Sequence, residues 1–373
     1  MHIVYFFTFG YSLKSWHSAG ILEREIRIFE ELVKKYGLRF TLVTYGDAED
    51  YRFTLNEGIE IVPIYTLLKK SKNKFYNFFK SFFISTRIKP EIHNFDIIQQ
   101  NQLMGSWVSV LFKYSTKKPL YIRTGYDMFL FSIKDKKSII KKAAYFVLTF
   151  LSHGLTNLYS VTSICDATFL KKFLPFNENK LVVRPNWVES NVTKEFNTRY
   201  KGRLLAVGRF ETQKNYPILI KSLKNTGLSL DIVGSGSMKN ELRNLAKLEG
   251  VEVNFLGILQ NNELMKLYTK YKYFVSTSLY EGNPKAILEA MCSGCIVIAR
   301  EIPNNKEIIT NLENGLLFNN DSEFKEIIKN IQFIKNQEKI SNRAIESTVL
   351  FNSLDKLVDD IYYDFKLLKK STE

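Results

Sequence analysis

Short apolar runs alternate with amphipathic helical patterns along this chain, and the alternation starts afresh after residue 200. Residues 3–7, 40–45, 97–99, 120–123 and 158–163 read as strands, with a helical pattern over 21–36 between the first two. Strands separated by helices pair in parallel through crossovers, so this grammar specifies a doubly wound α/β sheet. After a polar stretch at 189–200, strand patterns at 203–207, 228–233, 253–256 and 274–277 alternate with helical ones at 216–223, 238–249 and 262–268. At roughly 100–200 residues per domain, 373 residues accommodate two such units. The expectation is two Rossmann-like domains, 1–190 and 191–352. A last helix over 353–370, with Leu354, Leu357, Val358, Ile361 and Phe365 on one face, packs back on the first.

Composition excludes disorder, since 45% of residues are hydrophobic and 24% charged. The net charge of +15 is uneven: residues 1–190 carry 27 basic and 16 acidic side chains, a net of +11, which leaves +4 for the remainder. A basic half points to an anionic partner. Three cysteines cannot build a disulfide framework, which suits a reducing compartment. The opening residues lack a basic segment ahead of their apolar run and read as a first strand rather than a signal peptide. No apolar run reaches the roughly 18 residues of a membrane span. Residues 65–89 hold seven basic side chains, no acid, and Phe75, Tyr76, Phe78, Phe79, Phe82 and Phe83. This reads either as an interfacial membrane anchor or as core aromatics with a solvated lysine rim. Residues 134–151, where lysines precede an apolar run, read as a core helix.

The segment 276–299 carries the most chemistry. A strand ends near Ser278, and a helix is expected from Pro284, with Asn283 as its N-cap and Pro284 at its first position. It should run over 285–293 and stop at Gly294. First-turn N–H groups of such a helix form an anion site. Glu289 lies among Ile287, Leu288, Ala290 and Met291, where a carboxylate is costly unless paired or hydrogen-bonded. Glu281 lies just ahead of the cap. Two carboxylates eight residues apart thus flank a phosphate-binding helix start. The bland alternative is a solvated Glu281 and a salt-bridged Glu289.

The run from Glu281 to Glu289 closely resembles the E-x7-E donor-site motif of GT-B glycosyltransferases of family 4. The resemblance implies that Glu289 binds the donor ribose. Glu281 and the backbone at Asn283, Pro284, Lys285, Ala286 and Ile287 would contact the sugar and diphosphate. Residues 206–215 match the family's Gly-Arg-x4-Lys segment, whose Arg and Lys, here Arg209 and Lys214, hold the diphosphate. A departing nucleoside diphosphate gathers charge as the sugar bond breaks, so fixed cations there stabilise the transition state above the ground state. The catalytic set is therefore Arg209, Lys214 and Glu281. Gly234, in a Gly-x-Gly turn, and Gly257 and Ser278 fit loops bordering the base and diphosphate pockets, and Gly20 a loop beside the donor phosphate. Where many members carry a His-Gly or His-Asp pair, this chain has 123–127 as Arg-Thr-Gly-Tyr-Asp, so no histidine role carries over. Arg123 and Asp127 become the acceptor-binding residues. Asn186 matches the Pro-Asn turn leading into the linker.

Other features carry less. Cys292 and Cys295 have C-x2-C spacing, but no second pair accompanies them, and they read as structural. No Asp-x-Asp supplies ligands for a bridging metal, and the sequon at Asn191 lacks a secretory context. His17, His93 and His153 are isolated. The resemblance implies a retaining, metal-independent transferase without a cofactor, moving a sugar from a UDP- or GDP-sugar to a lipid-linked or glycan acceptor in cell-surface polysaccharide synthesis. Its expected place is cytoplasmic, peripheral on the inner membrane face through 65–89, without nucleic acid. Its substrates would meet in an interdomain cleft. Two alternatives stand beside this: another GT-B nucleotide-sugar enzyme such as an epimerase, and a basic non-enzymatic polyanion-binding module, which leaves Glu289 unexplained.

Overall fold

The computed structural model describes residues 1–174, 178–189 and 195–371. The chain divides into two units, Met1–Pro185 with Leu357–Glu373, and Asn186–Lys356. The expected boundary at 190–191 and the Asn191 sequon lie outside the described residues.

The first unit opens with β1 (His2–Phe6), α1 (Leu13–Ser18), α2 (Leu22–Tyr36) and β2 (Arg39–Thr44). It continues through β3 (Ile59–Pro63), α3 (Ile64–Leu67), α4 (Lys74–Ser81), α5 (Ile84–Ile88) and β4 (Ile97–Asn101). Then follow α6 (Ser106–Thr116), β5 (Leu120–Arg123), α7 (Met128–Lys134), α8 (Ile139–Leu155), β6 (Leu158–Val161), α9 (Ile164–Phe173) and β7 (Leu181–Val183). The seven strands form one sheet in the order β3-β2-β1-β4-β5-β6-β7, every neighbouring pair parallel. β1 is buried along its whole length because helices cover both faces of such a sheet, which is why it reads as continuously apolar. β3 and β7 were not legible in the sequence. Both are edge strands, one ending in Pro63 and the other only three residues long.

The second unit holds β8 (Tyr200–Val207), α10 (Tyr216–Ser222), β9 (Ser229–Val233), α11 (Lys239–Glu249), β10 (Val253–Gly257) and α12 (Asn261–Tyr268). Next come β11 (Tyr271–Ser276), α13 (Lys285–Cys292), β12 (Ile296–Arg300) and α14 (Pro303–Lys306). The remaining elements are β13 (Leu316–Phe318), α15 (Asp321–Lys329) and α16 (Gln337–Asn352), and α17 (Leu354–Lys370) follows, nearly all of it in the first unit. The second unit's parallel sheet has the order β10-β9-β8-β11-β12-β13. Alternate residues feed two cores: Leu204, Ile232, Tyr273 and Ile298 on one face, Leu205, Val233, Phe274 and Val297 on the other. Strand order reverses at β1/β4 and at β8/β11. Loops at the carboxyl ends of such strands are where doubly wound sheets place ligands.

α8 overturns the core-helix expectation for 134–151. It buries only Thr149, Ser152 and His153 and leaves Ile139, Ile140, Val147, Phe150 and Leu151 exposed. Toward α6 its contact is polar, Ser152 Oγ meeting Ser106 Oγ at 2.7 Å, and toward α7 Phe146 meets Phe129, while much of the apolar run faces out. In 65–89 the side chains of Phe75, Tyr76, Phe79 and Phe83 are exposed as well.

After Lys356 the chain returns to the first unit, and α17 is held there by a buried ion pair. Arg184 meets Asp364 in bidentate fashion, Nη2 to Oδ1 at 2.6 Å and Nε to Oδ2 at 2.9 Å, with the Asp364 side chain 1% exposed. Tyr121 Oη also donates to Asp364 Oδ2, and Tyr36 stacks on Tyr362 at 3.7 Å. Asp364→Ala strands the guanidinium, and breaking a buried pair costs about 3–5 kcal/mol. Urea unfolding is expected to show a loss of that size; a loss below about 1 kcal/mol would mean that the pair does not hold the helix.

Candidate functional site

The carboxyl ends of β8, β9 and β10 come so close that only glycine fits between them. Gly234 has φ +141°, and a Cβ there would lie 2.1 Å from the Gly208 carbonyl oxygen; its N–H donates to Gly257 O at 2.7 Å. A Cβ on Gly208 would lie 2.8 Å from Lys214 Cε, so the lysine stem runs directly over that residue. Lys214 Nζ reaches Glu281 Oε1 at 2.5 Å, with the two side chains 16% and 10% exposed. Glu281 is therefore not a solvated carboxylate. Thr277 Oγ1 donates to the carbonyls of Lys214 and Asn215, at 2.8 and 3.1 Å, and Gln213 exchanges bonds with the 279–280 backbone. These contacts tie the loop after β8 to the loop after β11. Arg209 lies on the same loop, exposed, with Nη2 3.4 Å from Gln213 Oε1.

Tyr216, directly after this loop, is buried, and its hydroxyl has no hydrogen-bond partner among the described residues. Burial, reinforced by the charge of Glu281, holds its pKa above the ordinary phenol value. No local pattern in the sequence marks this hydroxyl, although it sits two positions after Lys214.

Asn283 is not the N-cap of α13. The helix begins at Lys285 with Pro284 as cap, whose carbonyl accepts from Ile287 and Leu288 N–H at 3.1 and 3.2 Å. Asn283 bonds Asn186 instead: its Oδ1 accepts from Asn186 N at 2.9 Å and its carbonyl from Asn186 Nδ2 at 2.8 Å. The reciprocal amide pair outcompetes local capping because both residues are buried and must be satisfied. Lys285 and Ala286 thus open α13, with Ile287 buried behind them. One turn on, Glu289 is buried, and Tyr268 Oη donates to its Oε2 at 3.2 Å. Tyr268 ends α12 and is itself fully buried; no local signal in the sequence links the two. Ser278 is buried, with Ser276 Oγ 3.4 Å from its Oγ. Cys295 is pushed up to about 12 by burial, so this thiol is structural. A cavity of about 580 Å³ against α11 and β10, lined by Arg243, Lys247, Asn254 and Phe255 among others, includes none of the expected site residues.

In the first unit, Gly20 closes the turn after α1 at φ +71°, its N–H donating to His17 O at 3.0 Å. Arg123 ends β5, and its Nη2 points to the carbonyls of Arg184 and Pro185 at 3.3 and 3.5 Å. Asp127 caps α7, Oδ1 accepting from Leu130 N at 2.6 Å, while Oδ2 is buried with no hydrogen-bond partner among the described residues. Burial pushes its pKa up to about 6 against that capping bond, and the nearby carboxylate of Asp166 adds to the rise.

Residues 191–349 match the model of the family described as Glycosyl transferases group 1. The match spans most of the second unit. A Campylobacter jejuni protein named GalNAc-alpha-(1->4)-GalNAc-alpha-(1->3)-diNAcBac-PP-undecaprenol alpha-1,4-N-acetyl-D-galactosaminyltransferase is 23% identical over 63% of this chain and 64% of its own length. The capsular polysaccharide biosynthesis glycosyltransferase CapH of Staphylococcus aureus is 25% identical over 58% of this chain and 62% of its own. Both alignments span less than two thirds of the relative. Over the whole fold, the Anabaena protein Alr3699/HepE, solved in complex with UDP and glucose, superposes with a TM-score of 0.76 at 16% identity, covering 98% of this chain and 99% of its own. The fold of this chain is GT-B.

The raised acid in the first unit has a thermodynamic signature. Asp127 binds its proton more tightly folded than unfolded, so its contribution to stability falls as pH rises from about 4 to about 6. Asp127→Asn keeps the capping oxygen and removes the titration. The stability difference, wild type minus variant, is expected to fall across that window and to flatten above it, read by denaturant unfolding at stepped pH. A flat difference across the window defeats the assignment.

Proposed function

We propose that this chain is a retaining, metal-independent glycosyltransferase of the family 4 type. It takes a UDP- or GDP-sugar as donor and a lipid-linked or glycan acceptor, and needs no cofactor. The observation that carries the reading is the Lys214–Glu281 pair at one end of the second sheet, with Glu289 inside the helix that follows. The reaction breaks the bond between the anomeric carbon and the diphosphate and forms one to an acceptor oxygen. Charge gathers on the departing diphosphate, and Arg209 and Lys214 meet it. An ammonium has three donors, so Lys214 can serve the diphosphate while Glu281 keeps one of them and stays oriented toward the sugar. The backbone of 283–287 and the open start of α13 receive diphosphate oxygens. Glu289, steadied by Tyr268, accepts from the ribose hydroxyls. Gly20, Gly234, Gly257 and Ser278 border the donor.

Asp127, with its free Oδ2, is the first unit's candidate for an acceptor hydroxyl. Arg123 supports the same region while bonded to the 184–185 backbone. The relative named for an undecaprenol diphosphate-linked glycan supports a lipid-linked acceptor in surface polysaccharide synthesis, and the Anabaena protein solved with UDP supports the donor class. Such an acceptor places the enzyme at the cytoplasmic face of the membrane, and residues 65–89 supply the contact.

Two outcomes test the donor site. With a panel of UDP- and GDP-sugars and mass spectrometry of products, Arg209→Ala or Lys214→Ala is expected to lower kcat by about 10²–10³, the scale of one lost transition-state donor. Arg209→Ala, at an exposed position, keeps the wild-type melting temperature; turnover within threefold of wild type for this variant ends the assignment. Glu289→Gln removes a charged acceptor, for which the loss is about 1.5–3 kcal/mol of nucleotide binding. Calorimetry finding equal affinity for UDP and for GDP in both proteins rules out the ribose contact.

A further inference from the structure

Helix α8 is built inside out. Its buried side chains, Thr149, Ser152 and His153, are polar, while Ile139 and Ile140 are 82% and 78% exposed and Val147, Phe150 and Leu151 follow them into solvent. A helix on a water-facing surface has the opposite arrangement. The inward face is nevertheless specific: besides the Ser106–Ser152 bond, Lys113 Nζ of α6 donates to Leu155 O at 2.6 Å, and His153 packs edge-on to Tyr159. The helix is firmly docked, so its apolar side is presented rather than misplaced.

The neighbouring helices also carry exposed apolar side chains. α6, which is bonded to α8 through Ser106, leaves Leu111 and Tyr114 exposed. Farther along α6, Trp107 Nε1 donates to Ser81 Oγ of α4 at 2.8 Å, and its rings meet Phe78 and Phe82. From there α4 turns Phe75, Tyr76 and Phe79 outward. Helices α4, α6 and α8 hold not one acid, and besides Lys113, which is bonded inward, they carry Lys74, Lys80, Lys141 and Lys142. That charge decides between occupants. A second copy would bring these lysines against themselves, whereas an anionic bilayer complements them at about 1 kcal/mol for each basic residue near its surface.

We propose that α8 lies in the membrane interface beside α4, so that α4, α6 and α8 together form one surface that docks on anionic lipid. This deepens, and rests on, the membrane contact assigned above to 65–89. The mode is interfacial, since no helix among the described residues is long and apolar enough to cross a membrane. Lysines bind headgroups while the aliphatic and aromatic side chains enter the acyl boundary.

The test uses the full chain with vesicles of phosphatidylcholine and phosphatidylglycerol, and of phosphatidylcholine alone. A variant with Ile139, Ile140, Val147 and Leu151 all changed to Ser is expected to lose at least about tenfold in partition to the mixed vesicles at an unchanged melting temperature, because these side chains touch solvent. Val147→Trp is expected to gain fluorescence that brominated lipid quenches. A second variant, with Lys69, Lys70, Lys72 and Lys74 changed to Gln, reports on 65–89 alone. If it loses binding while the α8 variant sediments as wild type and the new tryptophan stays unquenched, the role of α8 is overturned and the 65–89 contact stands. If neither variant nor the parent binds the mixed vesicles, both fail. A wild-type dimer that the α8 variant breaks, with vesicle binding unaltered, also overturns the proposal and makes α8 a self-association face. Should the four-serine variant melt far lower, the single Val147→Trp quenching decides.

Discussion

Removing a lysine and a glutamate from water is costly, and only a close, well-oriented pair offsets that cost. The Lys214–Glu281 pair meets the condition by laying the lysine stem across Gly208, a residue that can carry no side chain there. Gly208 in turn presses its carbonyl against Gly234, which must also be glycine. The lysine stem, the two glycines and the Thr277 bond to the Lys214 carbonyl thus join the loop after β8 to the loop after β11. α13 follows from that second loop, so the position of Glu289 depends on the same chain of contacts.

The second unit treats its buried carboxylates in two ways. Glu281 is paired with a cation, and Glu289, on the helix that follows, receives a phenol hydroxyl from Tyr268. In the first unit the carboxylate of Asp127 is handled differently again: one oxygen caps a helix, and the other is buried beside a second acid. A carboxyl held so is biased toward its protonated form.

The first unit also shows that hydrophobic content and burial are separate facts. The apolar run in α8 has the composition of a core helix, yet its small polar residues point inward. α8 meets α6 through Ser106 and Ser152, and Ile139, Ile140, Val147 and Leu151 stay exposed. Periodicity alone could not reveal this, since Ile139, Ile140, Val147 and Leu151 form as coherent a stripe as any core face. Which stripe meets the sheet depends on which side chains fit against α6.

Most of the longer elements, and their kind, are legible in the chain alone. The apolar runs of β1, β8 and β11, the helical spacing of α2 and α17, and the Glu281–Glu289 spacing across a helix start were all readable because each is set by local geometry within a few residues. Short edge strands such as β7 and β13 carry too few residues for a pattern. The partners that make the site were decided only by the tertiary structure. Lys214 finds Glu281 across 67 residues, Asn186 takes Asn283 across 97, and Arg184 meets Asp364 across 180. Such pairs depend on how segments far apart in the chain pack, and a side chain's local surroundings in the chain hold no record of that packing.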